Sequence, residues 1–298
     1  MRILVVGANG QLGRELVPTL QVRGHQVTGL DHRALDITDA DAVTRAVANS
    51  DPERVVNCAA YTKVDQAESE PKRAYAVNRD GARNLAQACA RPGIPLCHLS
   101  TDFVFGQDPP EPPHPWAETD LPAPRGVYAQ SKRAGELECL AAGGPLYLVR
   151  TSWLYGGQGP NFPLAISRAA AAGVRLKVVA DQEGTPTWTG HLAPALSLLL
   201  EQESHGLYHL TGAGVTTWLR FAEAILAEVG IAVPVEATTT AEWGAPAPRP
   251  RYSVLDNGNW RGLGMAPLPA WEEGLSQYVA SERDGALAEF APSRRTPS

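Results

Sequence analysis

Apolar residues along this chain fall into two rhythms. A short apolar run fills residues 3–6, and 26–30, 54–60, 95–99 and 146–150 read as further short strands. That length and that valine and leucine content suit strands buried on both faces of a parallel sheet. Between them lie stretches with apolar residues every three or four positions, the helical period. The first opens at Glu15-Leu16-Val17, and another, with Thr38 or Asp39 as its N-cap, runs to Ala48. Residues 71–90 read as one long helix whose Ala74, Val77, Gly81, Leu85 and Ala88 form a small-residue stripe suited to close packing. A further helix covers 128–140. At least six strands, mostly separated by helices, predict a parallel sheet with right-handed crossovers. Beyond residue 156 the pattern loosens. Helices are expected at 161–172, 191–201 and 218–229, and strands at 176–180 and 207–211. The alanine- and proline-rich stretch 238–250 is expected to be irregular, while Trp271, Leu275 and Tyr278 recur at helical spacing. Residues 107–124, with seven prolines, read as a surface loop.

The sharpest local signal is G-A-N-G-Q-L-G after the first strand. Gly7, Gly10 and Gly13 stand at spacing three between a strand and a helix start. Helix N-terminal N–H groups bind anions, and glycine lets a pyrophosphate approach without a Cβ clash. The spacing differs from the G-x-G-x-x-G of many dehydrogenases. Asp31, at the end of the second strand, is placed to bind the adenine ribose hydroxyls, whereas Arg33 suits a 2′-phosphate, so NADH and NADPH both stay open. The expected fold is α/β, a Rossmann-like doubly wound sheet in residues 1–155 with about 188–212 returning to it. Residues 156–187 and 213–285 form a smaller cap over its carboxyl edge, and 286–298 form a frayed tail.

Composition narrows the class. The 298 residues carry a net charge of −6 and no basic stripe, which argues against nucleic-acid binding. No apolar run approaches the ~20 residues of a membrane span, and the first strand starts at residue 3, so neither a membrane anchor nor a signal peptide is expected. Cys58, Cys89, Cys97 and Cys139 lack metal-ligand spacing and read as reduced thiols of a cytoplasmic protein.

Chemistry concentrates at Tyr128 and Lys132, which share one face of a helix at i, i+4 spacing. A tyrosine hydroxyl has a pKa of ~10, and bringing it to ~7 takes about 4 kcal/mol. A neighbouring ammonium supplies part of that. Tyr128 then reads as a general acid for a carbonyl oxygen, Thr101 as a hydrogen-bonding partner of that oxygen, and Lys132 also as a holder of the nicotinamide ribose.

These stretches together resemble the extended short-chain dehydrogenase/reductase superfamily, and within it the dTDP-4-dehydrorhamnose reductases. The match runs through G-A-N-G-Q-L-G, V-V-N-C-A-A-Y-T-K-V-D-Q-A-E, V-N-R-D-G-A-R-N-L, H-L-S-T-D-F-V-F, Y-A-Q-S-K, R-T-S-W-L-Y-G, D-Q-E-G-T-P-T and Y-H-L-T-G with T-T-W after it. The resemblance implies that Gly10, Gln11 and Leu12 bind the pyrophosphate and Asp31 the ribose. It implies that Asp36 and Ile37 flank the adenine, and that Ala60, Tyr61 and Thr62 line the cofactor groove. Thr101 and Asp102 contact the sugar, Tyr128 donates the proton beside Lys132, and Trp153 packs on the substrate. Arg249 and Arg251, in R-P-R-Y-S, are candidates for the substrate's diphosphate. The implied reaction is NADPH reduction of the C4 keto group of dTDP-4-dehydro-β-L-rhamnose. Another nucleotide-linked 4-keto-deoxysugar, or a regulatory role like that of the methionine adenosyltransferase subunit, stays open beside it. Some members dimerise through a magnesium site built from glutamates. Glu15 is present, but the glutamate expected after P-T is replaced in Thr187-Trp188-Thr189-Gly190-His191, so no metal site is assigned and a monomer or weak homodimer is expected.

Overall fold

The computed structural model describes residues 1–282 other than 110, 112 and 158, together with 285 and 287. Six parallel strands form one sheet: β1 (Arg2–Val6), β2 (Gln26–Leu30), β3 (Arg54–Asn57), β4 (Leu96–Thr101), β5 (Leu146–Thr151) and β6 (Gly206–His209). Their order is β6-β5-β4-β3-β1-β2. Alternate residues of each strand enter opposite cores, as the pleat requires. Ile3, Val5, Val56, Cys97, Tyr147 and Val149 pack on one face with Leu16 and Leu20 of helix Gly13–Val22 and with Leu192, Leu196 and Leu199 of helix Thr189–Leu200. Leu4, Val6, Val55 and Leu96 pack on the other with Val43, Val47, Leu85 and Cys139. Two buried faces are why the inner strands β1, β3, β4 and β5 are rich in apolar residues, whereas the edge strand β2 is largely exposed. Trp260 and Leu268, in a stretch expected in the cap, pack into the first of these cores.

A third cluster carries the cap, with Phe221, Ile225, Trp271, Leu275 and Tyr278 at its centre. It contains helices Phe162–Ala171, Trp218–Val229 and Trp271–Ser281. Two short strands, Leu176–Val179 and Val235–Thr238, pair in parallel beside them.

Three expectations change in detail. The strand expected over 54–60 ends at Asn57, whose side chain turns to accept from the Ala59 N–H and to bond His98. The long helix over 71–90 is continuous but holds a π-helical turn at Ala76–Gly81, which brings buried Asn78 onto the Tyr61 backbone and the Ser131 hydroxyl. The stretch 238–250 is not wholly irregular. Thr239 caps helix Thr240–Trp243 with Glu242 reaching back, a capping box whose T-x-x-E spacing is visible in the sequence. Of the two N-cap candidates for helix Ala40–Ser50, Asp39 is the one that caps it. All four cysteines are free. The expected frayed tail, 286–298, lies outside the described residues apart from Leu287.

Candidate active site

The strand order reverses between β1 and β3, and a crevice opens at the carboxyl ends there. A cavity of about 780 Å³ runs from that crevice to the cap. On the sheet side Gly10, Gln11 and Leu12 line it. Gly7 and Gly13, also expected to bind cofactor, lie beneath the turn and shape it. Gly7 has a φ of +79°, and a Cβ on Gly13 would stand 2.4 Å from the Gly7 carbonyl oxygen. The N–H groups of Arg14, Glu15 and Leu16 are taken by the Gly10 and Leu12 carbonyls, which leaves those of Gln11, Leu12 and Gly13 without a partner among the described residues and available to a ligand. The Gln11 Nε2 likewise has no partner among the described residues. A pyrophosphate would satisfy both.

Ala60 and Thr62 line the cavity. Tyr61 does not: it is buried, and its hydroxyl donates to Glu70. Asp31 stands at the end of β2, accepting from Asn9 Nδ2 at 2.6 Å and from the N–H groups of Arg33 and Ala34. The backbone donors of Ala34 and Arg33 hold its carboxyl below the usual range. Arg33 is exposed beside it. The Asp36 carboxylate accepts from the Thr38 N–H and hydroxyl. Ile37 is only 5% exposed, with its side chain in the core where Gly81 leaves room for it; a Cβ there would meet it at 2.5 Å. The structure thus presents no Ile37 side-chain surface to an adenine.

Thr101, Asp102, Tyr128 and Lys132 meet at the end of β4 and the start of helix Val127–Ala141. The Thr101 hydroxyl donates to Asp102 at 3.1 Å. Burial pushes the Asp102 carboxyl up to about 7 against the pull of Ser253 and Thr101. Burial, with the Asp102 charge adding to it, also pushes the Tyr128 phenol up to about 12, opposed by Thr101. The lysine therefore does not bring the phenol towards neutrality in this state. Lys132 is buried, donates from Nζ to the Leu99 carbonyl at 2.7 Å, and is lowered to about 8 by that burial. The set provides a neutral hydroxyl donor and a cation one helical turn apart.

Trp153 follows β5 with a φ of +43°, a left-handed conformation that a bulky residue rarely adopts. Its indole stacks on Trp218 of the cap with centroids 3.7 Å apart, and Gly184 leaves the space for it. Arg249 lines the cavity, but its guanidinium forks onto Asp65 at 2.7 and 2.8 Å. Arg251 does not line it and is exposed. Sequence reasoning does not single out Lys177, Gln182, Trp218 and Trp243, which also line the cavity. Gln182 and Trp218 sit in the motifs D-Q-E-G and T-T-W, while Lys177 and Trp243 carry no local signal. Among the described residues no group of three or more His, Cys, Asp or Glu is placed to hold a metal, and no helix is long and apolar enough to cross a membrane.

Known proteins share this arrangement. The family model for the RmlD substrate binding domain matches residues 1–283. The chain is 47% identical to a dTDP-4-dehydrorhamnose reductase of Streptomyces griseus, covering 93% of this chain and 92% of that protein. It is 42% identical to a probable dTDP-4,6-dihydroxy-2-methyloxan-3-one 4-ketoreductase of Streptomyces antibioticus, over 99% of both. The crystal structure of dTDP-4-dehydrorhamnose reductase from Bacillus anthracis in complex with NADP superposes with a TM-score of 0.90 at 38% identity, covering 94% of this chain and 99% of that one. With a single family model spanning the sheet, the glycine turn, the Tyr128–Lys132 helix and the cap, the chain belongs to the RmlD substrate binding domain family, that of the dTDP-4-dehydrorhamnose reductases.

Proposed function

We propose that this protein is an oxidoreductase that reduces the C4 keto group of dTDP-4-dehydro-β-L-rhamnose with NADPH, giving dTDP-L-rhamnose. The observation that carries the reading is one cavity with a glycine turn, a hydroxyl donor and a buried lysine on its sheet side. The residues present fit the cofactor. The turn at Gly10–Leu12 and the Gln11 Nε2, without a partner among the described residues, suit the pyrophosphate, Ala60 and Thr62 the groove beyond, and Asp31, at the end of β2 outside the cavity lining, the ribose. The NADP of the Bacillus anthracis relative supports NADPH, and Arg33, exposed past Asp31, is the cation on hand for a 2′-phosphate. When bound, NADPH supplies the hydride. Tyr128 then gives its hydroxyl proton to the C4 oxygen, Thr101 turns its one hydroxyl proton from Asp102 to that oxygen and fixes it, and Lys132 holds positive charge behind the phenol.

The test is spectrophotometric. The protein is mixed with NADPH, dTDP-4-dehydro-6-deoxyglucose and a 3,5-epimerase, and absorbance at the nicotinamide band is followed. Rapid loss that needs every component is expected. No loss would sink this substrate first. A second reading, reduction of another nucleotide-linked 4-keto-deoxysugar, is favoured by the 42% identical ketoreductase relative, and a panel of such sugars separates the two. NADPH oxidation without any partner protein would set aside a purely regulatory role.

The family's glutamate after P-T is absent, which supports a monomer or weak homodimer rather than a magnesium-bridged dimer. Light scattering is expected to give the same mass with and without EDTA. A dimer that EDTA dissociates would overturn this.

A further inference from the structure

The helix that carries Tyr128 begins at a turn with no cap of its own. Gly126 precedes helix Val127–Ala141 and has no side chain to meet the N–H groups of the first turn. The acceptor comes from elsewhere. Glu68, on helix Val64–Ser69, accepts from the Val127 N–H at 2.7 Å across 59 positions of the chain. Its carboxylate lies at the positive end of the helix that carries Tyr128 and Lys132. Among the described residues it forms no other hydrogen bond and no ion pair. The turn leaves room for this approach. Gly126 has a φ of +81°, and a Cβ there would stand 2.9 Å from the Glu68 Oε1 and 2.9 Å from the Pro248 Cδ. Glu68 and Pro248 hold the turn between them.

The same short helix is fastened on two further sides. Ala60, Thr62 and Val64 line the cavity, and the chain runs from them directly into it. Asp65, at i, i+3 spacing from Glu68 and so on the same face, accepts from the Ala247 N–H at 3.2 Å and takes the Arg249 fork. The helix thus joins the cofactor groove, the loop that holds Pro248 and the start of the catalytic helix. Resting on the functional reading above, we infer that Glu68 is a positioning residue for Tyr128. It fixes the first turn of the catalytic helix against the segment that lines the cofactor groove, and so sets where the phenol proton stands relative to the carbonyl oxygen. Glu68 does not line the cavity, so it acts through the helix alone.

The test compares wild type, Glu68→Ala and Glu68→Gln. Hydrogen exchange is followed in the peptide containing Val127 to Lys132. In parallel kcat, the sugar KM, NADPH affinity and the solvent deuterium isotope effect on kcat are measured. Glu68→Ala is expected to speed exchange in that peptide and to lower kcat about tenfold, since a misplacement of about 1 Å costs up to about 10²-fold. The sugar KM and NADPH affinity stay at the wild-type values, which also reports that the variant is folded. The solvent isotope effect rises as proton transfer becomes the slower step. Glu68→Gln keeps a neutral acceptor oxygen and is expected to exchange as wild type does, with kcat within about threefold. Wild-type kcat in Glu68→Ala, a loss spread equally over kcat, KM and NADPH affinity, or a Glu68→Gln variant as slow as Glu68→Ala would overturn the role. A wild type that reduces no nucleotide keto-sugar, while exchange responds as expected, would instead overturn the functional reading and leave the hold on the helix standing.

Discussion

Tyr128→Phe lowers kcat by about 10²–10⁴-fold, the range over which a positioned proton donor acts, and leaves NADPH affinity and the sugar KM near wild type. The substitution removes one hydroxyl and keeps the ring that packs edge-on against Phe103 at 5.6 Å. In the reducing direction the phenol must hold its proton until the C4 oxygen takes it. Burial pushes Tyr128 up to about 12, so the donor is loaded throughout the working range and contributes no pH limb of its own below that. Lys132 does contribute one. Burial lowers it to about 8, so its charge is present below that pH and is lost as pH rises through it. kcat/KM, which reports the free enzyme, is therefore expected to fall on the alkaline side near pH 8. Stopped-flow and steady-state rates of both proteins across pH check this. A Tyr128→Phe rate within tenfold of wild type would place the proton path elsewhere, and a flat alkaline profile would separate Lys132 from the phenol.

Local spacing makes part of this site legible in the sequence. The glycine turn and the Tyr128–Lys132 pair are encoded within seven and five consecutive residues, and the inner strands announce themselves because both of their faces are buried. What a sequence does not display is pairing across distance. Arg249 looks like a phosphate ligand until Asp65, 184 positions away, is seen to hold its fork. Ile37 looks like a ring surface until the gap at Gly81, on another helix, is seen to receive it. The π-helical turn that aims Asn78 at Tyr61 and Ser131 leaves no periodic trace, since one extra residue per turn only blurs the stripe. Lys177 carries no local signal in the sequence, and only the shape of the cavity shows that it lines it.

Arg150→Met costs about 3–5 kcal/mol of stability, the penalty for leaving a buried charge without its partner. Arg150 on β5 is 1% exposed and forks onto Glu136, itself fully buried, at 2.9 Å through both Nε and Nη2. Glu136 lies one turn beyond Lys132 and also accepts from Ser100, next to Thr101, at 2.6 Å. The pair therefore fastens β4, β5 and the helix carrying Tyr128 to one another. Burial alone would raise the Glu136 carboxyl, but Arg150, Ser100 and Arg133 bring it below the usual range. A carboxyl with a depressed folded pKa adds stability above its unfolded value of ~4.3, and that contribution fades as pH falls through the folded value. In Arg150→Met the balance reverses, since burial persists while the chief counter-charge is gone. The variant should lose part of its deficit on mild acidification, as Glu136 takes up a proton, whereas wild type only weakens. Urea unfolding at neutral and mildly acidic pH reads both effects. Glu136→Leu combined with Arg150→Met should recover much of the loss, because replacing both members of a buried pair by apolar groups is often neutral. A single variant within 1 kcal/mol of wild type, or a double variant as unstable as the single, would show that the pair does not hold the catalytic helix to the sheet.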